Sequence, residues 1–311
     1  MTKKAIYTIF CSLIILFSAL SVSAQTYQRI IGWSDSVNLR IERFFEETLS
    51  VPGRKVAVFD CDGTLIGQVP FYFVDEVVCD FANKYYKDVD TKDAKMRMRI
   101  LNDQVANRKV RASNPAYRQD RVKFFAGLSS EQVNDFASSI YTKKYLGKAY
   151  SQMRQLINNM YMYGFEVWII TGSPEIVYEE TIYELFGIPA QRVLGSKTLR
   201  SQGIITDKVV PPLPYRLGKA DAIETQIKVK PLFVAGNSRG DLEMMLTSIG
   251  MKMIVNPNDR EVLSDDHIKG QTLKQFWKDQ GALIVTCEDE VPKGIKFSSS
   301  EYDIPVNKKN K

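Results

Sequence analysis

The stretch VAVFDCDGTL, residues 56–65, holds four apolar residues followed by two aspartates that stand two positions apart. The apolar residues predict a buried β-strand, and Gly63 predicts a tight turn just past its end. Asp60 and Asp62 would then lie beyond the carboxyl end of the strand, where ligands bind in open α/β sheets. There, a first aspartate can attack phosphorus and hold a divalent cation, a second can act as general acid and then general base, and the Thr64 hydroxyl can fix the first carboxylate. A strand that ends in a solvated acidic turn is the alternative, but it does not explain the whole stretch.

The rest of the chain predicts an α/β fold, a doubly wound parallel sheet with an α-helical domain inserted after its first strand. Helical periodicity without a convincing strand extends over residues 68–150, and strands and helices alternate again from Ser151. We therefore expect a core domain formed by residues 25–67 and 151–311. Before the first strand we expect a helix around 37–49. After residue 150 we expect strands at 166–170, 192–199, 204–210, 232–235 and 252–255, and a helix at 217–227.

Polar residues follow other predicted strands and would reach the same edge of the sheet. Thr171 offers a hydroxyl, and the amides of the next helix, with Ser173 as N-cap and Pro174 as its first residue, suit a phosphate oxygen. Lys219 lies near the start of a helix, where the helix dipole does not favour a cation. The turn GNSRGD, residues 236–241, follows an apolar strand. Taken singly, these features are also typical of an ordinary helix start, a surface lysine and a polar turn.

In their order along the chain, these motifs resemble the signature of the haloacid dehalogenase superfamily of phosphotransferases, over about residues 55–260. That signature is Asp-x-Asp-x-Thr, a Thr or Ser after a strand, a Lys, and a motif of the Gly-Asp-x-x-x-Asp type. The resemblance implies a Rossmann-like core with residues 68–150 as a helical cap. Three stretches are also similar to the phosphoserine-phosphatase-like branch, and residues 68–72 are similar to exported bacterial members. The three stretches are residues 187–196, the hairpin before 218–220, and residues 255–257.

The resemblance implies a role for each residue that matches the signature. Asp60 would be the nucleophile that forms an aspartyl-phosphate, and Asp62 would be the general acid and then the general base. Thr171, Gly172 and Lys219 would bind the phosphoryl oxygens of the substrate.

The same resemblance implies a Mg²⁺ site made of Asp60, the backbone carbonyl of Asp62, Asn237 and Asp241. Asn237 departs from the family, which usually has an acid here. An amide oxygen can coordinate Mg²⁺ but brings no charge, so we expect a lower affinity. Asp241 could bind the metal directly or through water. Arg239 could pair with Asp241 or lean toward the substrate.

The whole pattern predicts an exported, Mg²⁺-dependent phosphomonoesterase acting on a small phosphate ester, with no nucleic-acid partner and an oligomeric state left open. A protein that binds a phosphorylated ligand without turnover is an alternative motivated by Asn237. Transfer of the phosphoryl group to an alcohol instead of water is another. The single histidine, His267, argues against zinc and histidine-phosphatase chemistry.

Lys3 and Lys4, an apolar stretch at residues 5–22 and the small residues before Gln25 predict a secretory signal peptide that is cleaved after Ala24. Export to the periplasm or beyond would follow, with no stable membrane association after cleavage. An uncleaved anchor is the alternative, because the apolar stretch is close to spanning length. Cleavage would lower the net charge from +6 to +4, which suits small anionic ligands.

Two further patterns bear on the predicted insertion and on redox state. Residues 84–123 carry twelve basic side chains and five acidic ones. Most should be solvated, but those facing the first loop would attract an anionic substrate.

Three cysteines, Cys61, Cys79 and Cys287, remain after cleavage, and the odd number argues against a disulfide framework. A Cys79–Cys287 bridge is left open.

Overall fold

A computed structural model describes residues 26–110, 114–268, 270–290 and 293–308 of this chain. The predicted signal peptide, residues 1–24, lies outside the described residues. No helix among the described residues has the length and apolar character of a membrane span.

The structure confirms the predicted sheet. Its strands are β1 (Lys55–Phe59), β2 (Phe165–Pro174), β3 (Val193–Ser201), β4 (Ile204–Val210), β5 (Phe233–Gly236), β6 (Met251–Val255), β7 (Val262–Leu263), β8 (Gln271–Thr272) and β9 (Leu283–Val285). Seven of them form one sheet in the order β4-β3-β2-β1-β5-β6-β9, and β7 pairs with β8. The neighbours in the large sheet are parallel except β3 and β4, which form the expected antiparallel hairpin.

Helices occupy the insertion and flank the sheet. They are α1 (Asp35–Thr48), α2 (Phe73–Tyr85), α3 (Lys92–Val110), α4 (Pro115–Lys123), α5 (Ser130–Ile140), α6 (Ser151–Met162), α7 (Glu175–Phe186), α8 (Leu217–Ala222), α9 (Leu242–Leu246) and α10 (Leu273–Asp279). Helices α2 to α5 and a π-helical turn at Tyr141–Tyr145 lie between β1 and β2, where the insertion is expected. A second π-helical turn, Ile223–Ile227, continues α8 over the rest of the predicted helix. The exact division into core and cap stays a prediction.

The side chains of β1 show that both faces of the sheet are covered. Val56 and Val58 pack into one apolar cluster, and Ala57 and Phe59 pack into the other. Because successive side chains of a strand point to opposite faces, β1 is buried on both sides of the sheet. The polar residues that follow it, beginning with Asp60, are therefore accessible to a ligand only beyond the carboxyl end of the strand. Strand β1 lies between β2 and β5, at the point where the strand order reverses, which is where such sheets bind ligands.

The prediction that Ser173 caps the next helix is wrong. Strand β2 continues through Pro174, and α7 begins at Glu175. The pairing of β2 with β3 is irregular between Ile170 and Pro174. The reason lies in the Ser173 hydroxyl, which donates a hydrogen bond to the Asp62 carboxylate and so holds this segment extended toward the first loop.

The C-terminal segment, residues 293–308, packs against the insertion. The Glu76 side chain of α2 is fully buried. Its carboxylate accepts hydrogen bonds from the backbone N–H of Ser298 at 2.7 Å and of Ser299 at 2.9 Å, and from the Ser299 hydroxyl at 2.6 Å. Because a buried carboxylate is stable only with such partners, these contacts tie the segment to the first helix of the insertion.

The same segment also holds the link between β1 and α2. The backbone N–H of Asn307 donates to the Pro70 carbonyl at 2.8 Å, and its side-chain amide donates to the Gln68 carbonyl at 2.7 Å. The Asn307 side-chain oxygen accepts from Arg108 of α3 at 3.3 Å. Residue 307 thereby joins the entry to the insertion with one of its helices.

The three cysteines in the described part of the chain are buried free thiols. The Cys79–Cys287 bridge that the sequence leaves open is therefore not formed. Burial raises the pKa of each thiol, with neighbouring carboxylates adding to the rise at Cys61 and Cys79, so the neutral form is favoured.

Candidate active site

A cavity of about 390 Å³ lies at the carboxyl ends of β1, β2 and β5. It brings together every site residue that the sequence predicts, namely Asp60, Asp62, Thr171, Gly172, Lys219, Asn237 and Asp241. The opposite wall comes from the insertion and its entry, with Gln68, Tyr72, Arg108, Tyr117, Arg118 and Arg121, and from Asn307 of the C-terminal segment.

Asp60 lies in a loop whose shape depends on Gly63. The Asp60 backbone N–H donates to the Ala235 carbonyl of β5 at 3.0 Å, and the Thr64 hydroxyl donates to Asp60 Oδ2 at 3.3 Å, which confirms the predicted contact. Gly63 has φ +85°, and a Cβ there would come 1.9 Å from Nδ2 of Asn237. Glycine is thus needed both for the left-handed backbone and for the close approach of Asn237.

Lys219 bridges two carboxylates in the floor of the cavity. Its Nζ lies 2.5 Å from Asp60 Oδ1 and 2.7 Å from Asp241 Oδ1, and all three side chains are buried. Burial by itself lowers the pKa of Lys219, but the Asp241 and Asp60 charges outweigh it and hold the pKa above its usual value. Burial also raises the pKa of Asp60 to about 7, with Asp241 adding to the rise and Lys219 opposing it. One ammonium group therefore serves two carboxylates.

Asp241 shapes the turn that follows β5. Its Oδ2 accepts from the backbone N–H of Asn237 at 3.1 Å, and from the backbone N–H and the hydroxyl of Ser238 at 2.9 Å each. Its Oδ1 is held by Lys219. Because both of its oxygens already accept hydrogen bonds, Asp241 stabilises the turn. Of the two candidate metal ligands on this turn, Asn237 is the one whose side chain lies against the Asp60 loop.

Arg239 lines the cavity, but its ion pairs are with two other carboxylates and not with Asp241. Its guanidinium pairs with Glu243 at 2.9 Å and with Asp265 at 2.8 Å. Burial lowers the pKa of Arg239, but hydrogen bonds to these carboxylates raise it above its usual value. Arg239 therefore stays charged and fixes the rim of the turn, without pairing with Asp241.

Two hydroxyl groups, whose contacts with Asp62 the sequence does not predict, hold its carboxylate. The Tyr178 hydroxyl of α7 lies 2.7 Å from Oδ1 and 2.9 Å from Oδ2, and the Ser173 hydroxyl donates to Oδ2 at 3.0 Å. Arg121 of the insertion in turn donates to the Ser173 oxygen at 3.2 Å. Burial raises the pKa of Asp62, although the Tyr178 hydroxyl and the Arg121 charge oppose the rise. The net direction favours the protonated form, which a general acid needs.

Three arginines dominate the insertion wall. Asp75 of α2 is fully buried, forms an ion pair with Arg108, accepts from the Tyr117 hydroxyl at 3.1 Å and lies 3.6 Å from Arg121 Nε. Arg118 stacks on the ring of Tyr215. These positions confirm that some of the basic side chains of the insertion face the first loop.

The residues of the cavity fit Mg²⁺ by donor type and charge. Among the described residues, no three His, Cys, Asp or Glu side chains are grouped closely enough to hold a metal ion. What the loop does supply are the Asp60 carboxylate, the Asn237 amide and the Asp62 backbone carbonyl, which are the oxygen donors that Mg²⁺ prefers. Asp60 and Asp241 against Lys219 also leave excess negative charge in a buried place. Because Asn237 adds no negative charge, we expect these residues to bind Mg²⁺ with lower affinity than a site with a carboxylate at this position.

Comparison with known proteins agrees with this geometry. Residues 57–246 match the family of haloacid dehalogenase-like hydrolases. A protein of unknown function from Anaerococcus prevotii DSM 20548 shares the fold with a TM-score of 0.63 at 13% identity, over 88% of this chain and 99% of that one. Another from Bordetella pertussis Tohama I has a TM-score of 0.57 at 16% identity, over 75% and 99%.

Two curated relatives are similar in sequence. A hydrolase from Mycobacterium leprae (strain TN) is 27% identical over 52% of this chain and 54% of its own length. A phosphoserine phosphatase from Mycobacterium tuberculosis (strain ATCC 25618 / H37Rv) is 24% identical over 66% and 65%. This chain thus spans between about half and two thirds of the length of these relatives. Because the family match covers more than half of the chain, including all the motifs that line the cavity, the protein belongs to the haloacid dehalogenase-like hydrolases.

Proposed function

We propose that this protein is a phosphomonoesterase that hydrolyses a small phosphate ester through an aspartyl-phosphate on Asp60. The observation that supports this most is the pairing of two differently held carboxylates in one cavity. Asp60 contacts Lys219, whereas Asp62, two residues on, is held by the Tyr178 and Ser173 hydroxyls. Two carboxyl groups in different surroundings suit a nucleophile and an acid–base group.

In the first step, an oxygen of Asp60 attacks phosphorus while the ester P–O bond breaks. The leaving oxygen takes the proton of Asp62, so an alcohol departs rather than an alkoxide. Lys219 and the Thr171 hydroxyl lie in the same cavity and would bind the phosphoryl oxygens, next to the backbone at Gly172.

In the second step, the Asp62 carboxylate takes a proton from water, and the water oxygen attacks the phosphorus of the aspartyl-phosphate. Phosphate leaves, and the Asp60 carboxylate is restored. The Tyr178 and Ser173 hydroxyls stabilise Asp62 in its charged form between the two steps, because hydrogen bonds to a carboxylate are stronger than neutral ones.

Asp60, Asn237 and the backbone carbonyl of Asp62 are the groups that would hold Mg²⁺. When bound, the ion supplies positive charge that offsets the charge of the phosphoryl group.

A second candidate is a protein that binds a phosphorylated ligand without turnover. Asn237 favours it, because it removes one negative charge from the expected metal site. Transfer of the phosphoryl group to an alcohol would use the same first step and differ only in what attacks the aspartyl-phosphate.

The test is hydrolysis of p-nitrophenyl phosphate by the chain beginning at Gln25, with Mg²⁺ and with excess EDTA. We expect turnover that Mg²⁺ stimulates and EDTA abolishes, and that Asp60→Asn reduces to background because an amide is a very poor nucleophile. Asp207→Asn, at an exposed position of β4, is the matched control and should keep full activity.

Each contrary outcome has a separate meaning. Activity that persists in excess EDTA overturns the metal assignment, and activity that survives in Asp60→Asn overturns the nucleophile. Saturable binding of phosphate esters without turnover would favour the ligand-binding alternative. Product analysis with added ethanol separates transfer to an alcohol from hydrolysis.

We also propose that the protein is exported. The support is the sequence of residues 1–24 alone, with its two lysines, apolar stretch and small residues before position 25. Intact-mass measurement of the protein from its native host should give a chain that starts at Gln25. A mass that includes residues 1–24, with the protein in the membrane fraction, would favour the uncleaved anchor.

A further inference from the structure

The insertion wall of the cavity is positively charged. Among the described residues that line the cavity, the insertion contributes Arg108, Arg118 and Arg121 and no carboxylate. Asp75, which Arg108 and Arg121 share, lies behind this wall and is fully buried. One carboxylate between two guanidinium groups leaves the wall with excess positive charge even before Arg118 is counted.

Arg118 lies close to the turn that would bind phosphate. Its guanidinium carbon is 3.6 Å from the centre of the Tyr215 ring, so one face of the group is stacked on an aromatic surface. A Cβ built on Gly172 would come 3.2 Å from Arg118 Nε. Arg118 therefore lies directly over the residue next to Thr171, beside the place that a transferred phosphoryl group would occupy.

The electrostatics of Arg118 point the same way. Burial lowers the pKa of Arg118, and the nearby Arg121 charge adds to that effect, while Tyr215 opposes it. An anion bound next to the guanidinium would offset both burial and the like charge. A cation in the same place would add a third positive charge.

The carboxylates that line the cavity, within the part of the chain that the structure describes, lie on the other wall. They are Asp60, Asp62 and Asp241, and each is engaged with Lys219 or with the Tyr178 and Ser173 hydroxyls. An ammonium or trimethylammonium group on a substrate would thus be repelled by the arginines on the insertion side. The carboxylates on the core side would not offset this repulsion, because they already have partners.

We propose that the substrate is a phosphate ester whose leaving group carries a second negative charge, and that Arg118 binds this charge. The inference rests on the proposed phosphomonoesterase function and names its substrate class. Arg118 lines the cavity with one face on Tyr215, and a planar guanidinium can bind a carboxylate or a second phosphate with two parallel hydrogen bonds. Esters of aminoalcohols are disfavoured.

The experiment compares three esters with the same two-carbon skeleton and different charge. Phosphoglycolate has a carboxylate, ethyl phosphate has no second charge, and phosphoethanolamine has an ammonium group. We expect kcat/KM to fall in that order, with phosphoglycolate above phosphoethanolamine by about tenfold or more, which equals about 1.4 kcal/mol. The ratio is measured within one protein, so it does not depend on the fraction that is folded.

Arg118→Gln should bring the ratio between phosphoglycolate and phosphoethanolamine to within about threefold of one, while ethyl phosphate changes less than phosphoglycolate. The matched control is Arg99→Gln, the same change at an exposed position of α3 outside this cavity. It should leave the ratio as in the wild type. Raising the salt concentration should shrink the wild-type ratio only modestly, because Arg118 is partly buried and a partly buried pair is screened less than an exposed one.

The outcomes separate this inference from the proposed function. If p-nitrophenyl phosphate and all three esters resist hydrolysis, the phosphomonoesterase proposal fails. If they are hydrolysed at rates that do not follow charge, or if phosphoethanolamine is preferred, the function stands and the anionic substrate class is overturned. If the preference survives in Arg118→Gln, the class stands and Arg118 is not the residue that binds the charge.

Discussion

The two walls of the cavity differ in charge and in how their side chains are held. The core wall places Asp60 and Asp241 around a single ammonium group and holds Asp62 with two hydroxyl groups, next to strands whose register is fixed by the sheet. The insertion wall carries three arginines and two tyrosines, on helices α3 and α4 and on the entry to the insertion. In the proposed mechanism, the core wall supplies the groups that make and break bonds, and the insertion wall supplies groups that attract and orient the substrate. Under that proposal, reaction type and substrate choice depend on different parts of the chain.

After loss of the nucleophile Asp60, the largest effect should come from the acid–base group of the core wall. Asp62→Asn should lower kcat for an alkyl phosphate by a factor on the order of a hundred or more, because the leaving alkoxide then departs without a proton. Phosphoryl binding, read as competitive inhibition by inorganic phosphate, should change little. Near-normal kcat with an alkyl phosphate in this variant would contradict the role of Asp62, and Asp207→Asn serves again as the control.

Tyr178→Phe tests how the core wall holds that acid. The variant loses the hydroxyl that contacts both oxygens of Asp62, and a hydrogen bond to a charged group contributes about 2 kcal/mol, so turnover of an alkyl phosphate should fall roughly thirtyfold. p-Nitrophenyl phosphate should be affected less, because its leaving group needs little protonation.

A merely structural role for Tyr178 would lower both rates by the same factor. Tyr161→Phe is the matched control. It removes a hydroxyl that donates to the Phe186 carbonyl at 3.2 Å, and Tyr161 does not line the cavity.

Asn237→Asp tests the charge of the core wall. If Asn237 is a metal ligand, the added carboxylate should lower the Mg²⁺ concentration for half-maximal activity by about tenfold, which is about 1.4 kcal/mol of added attraction. Titration of activity with Mg²⁺ gives the midpoint directly. Asn102→Asp adds the same charge at an exposed position of α3 and should leave the midpoint unchanged. Equal midpoints in Asn237→Asp and the wild type would remove Asn237 from the metal site.

The smallest effect concerns how the insertion is held. Ser299→Ala removes one hydroxyl that donates to the buried Glu76 carboxylate, while the two backbone N–H groups remain. The free energy of unfolding in urea should fall by about 2 kcal/mol. Ser50→Ala, whose exposed hydroxyl donates only to the local Glu47 carbonyl, should change it by less than about 0.5 kcal/mol. Equal losses in both variants would show that the Glu76 contact adds nothing.

The sequence predicted the core wall far better than the insertion wall. The strand before Asp60 is recognisable because four apolar residues precede a glycine-containing turn, and Thr64 follows at a fixed short distance. Thr171 and Lys219 could be placed because each stands near the boundary of a periodic element. Such signals are local, and the sheet brings them together without further information.

The residues that were missed depend on tertiary contacts. Ser173 looks like a helix cap because Pro174 follows it, and only its contact with Asp62 shows otherwise. Tyr178 stands among Ile, Val and Glu in α7, where a buried tyrosine is indistinguishable from a core residue. The insertion was seen to be basic, but which arginines face the cavity depends on how its helices pack. The spacing of Arg118 and Arg121, three apart on one helix face, was the one signal available.

Asn307 carries a consequence for handling and processing the protein. It forms hydrogen bonds with Gln68 and Pro70 at the entry to the insertion and with Arg108. In the sequence, however, it lies 239 positions after Gln68. A protease that trims residues 293–308 would remove Asn307 from the cavity wall, and it would also take away groups that donate to the buried Glu76 carboxylate. Trimming would thus change the cavity and lower the stability of the insertion together, so an intact C-terminal segment is a criterion for a uniform preparation. An affinity tag is therefore better fused at Gln25 than after residue 308.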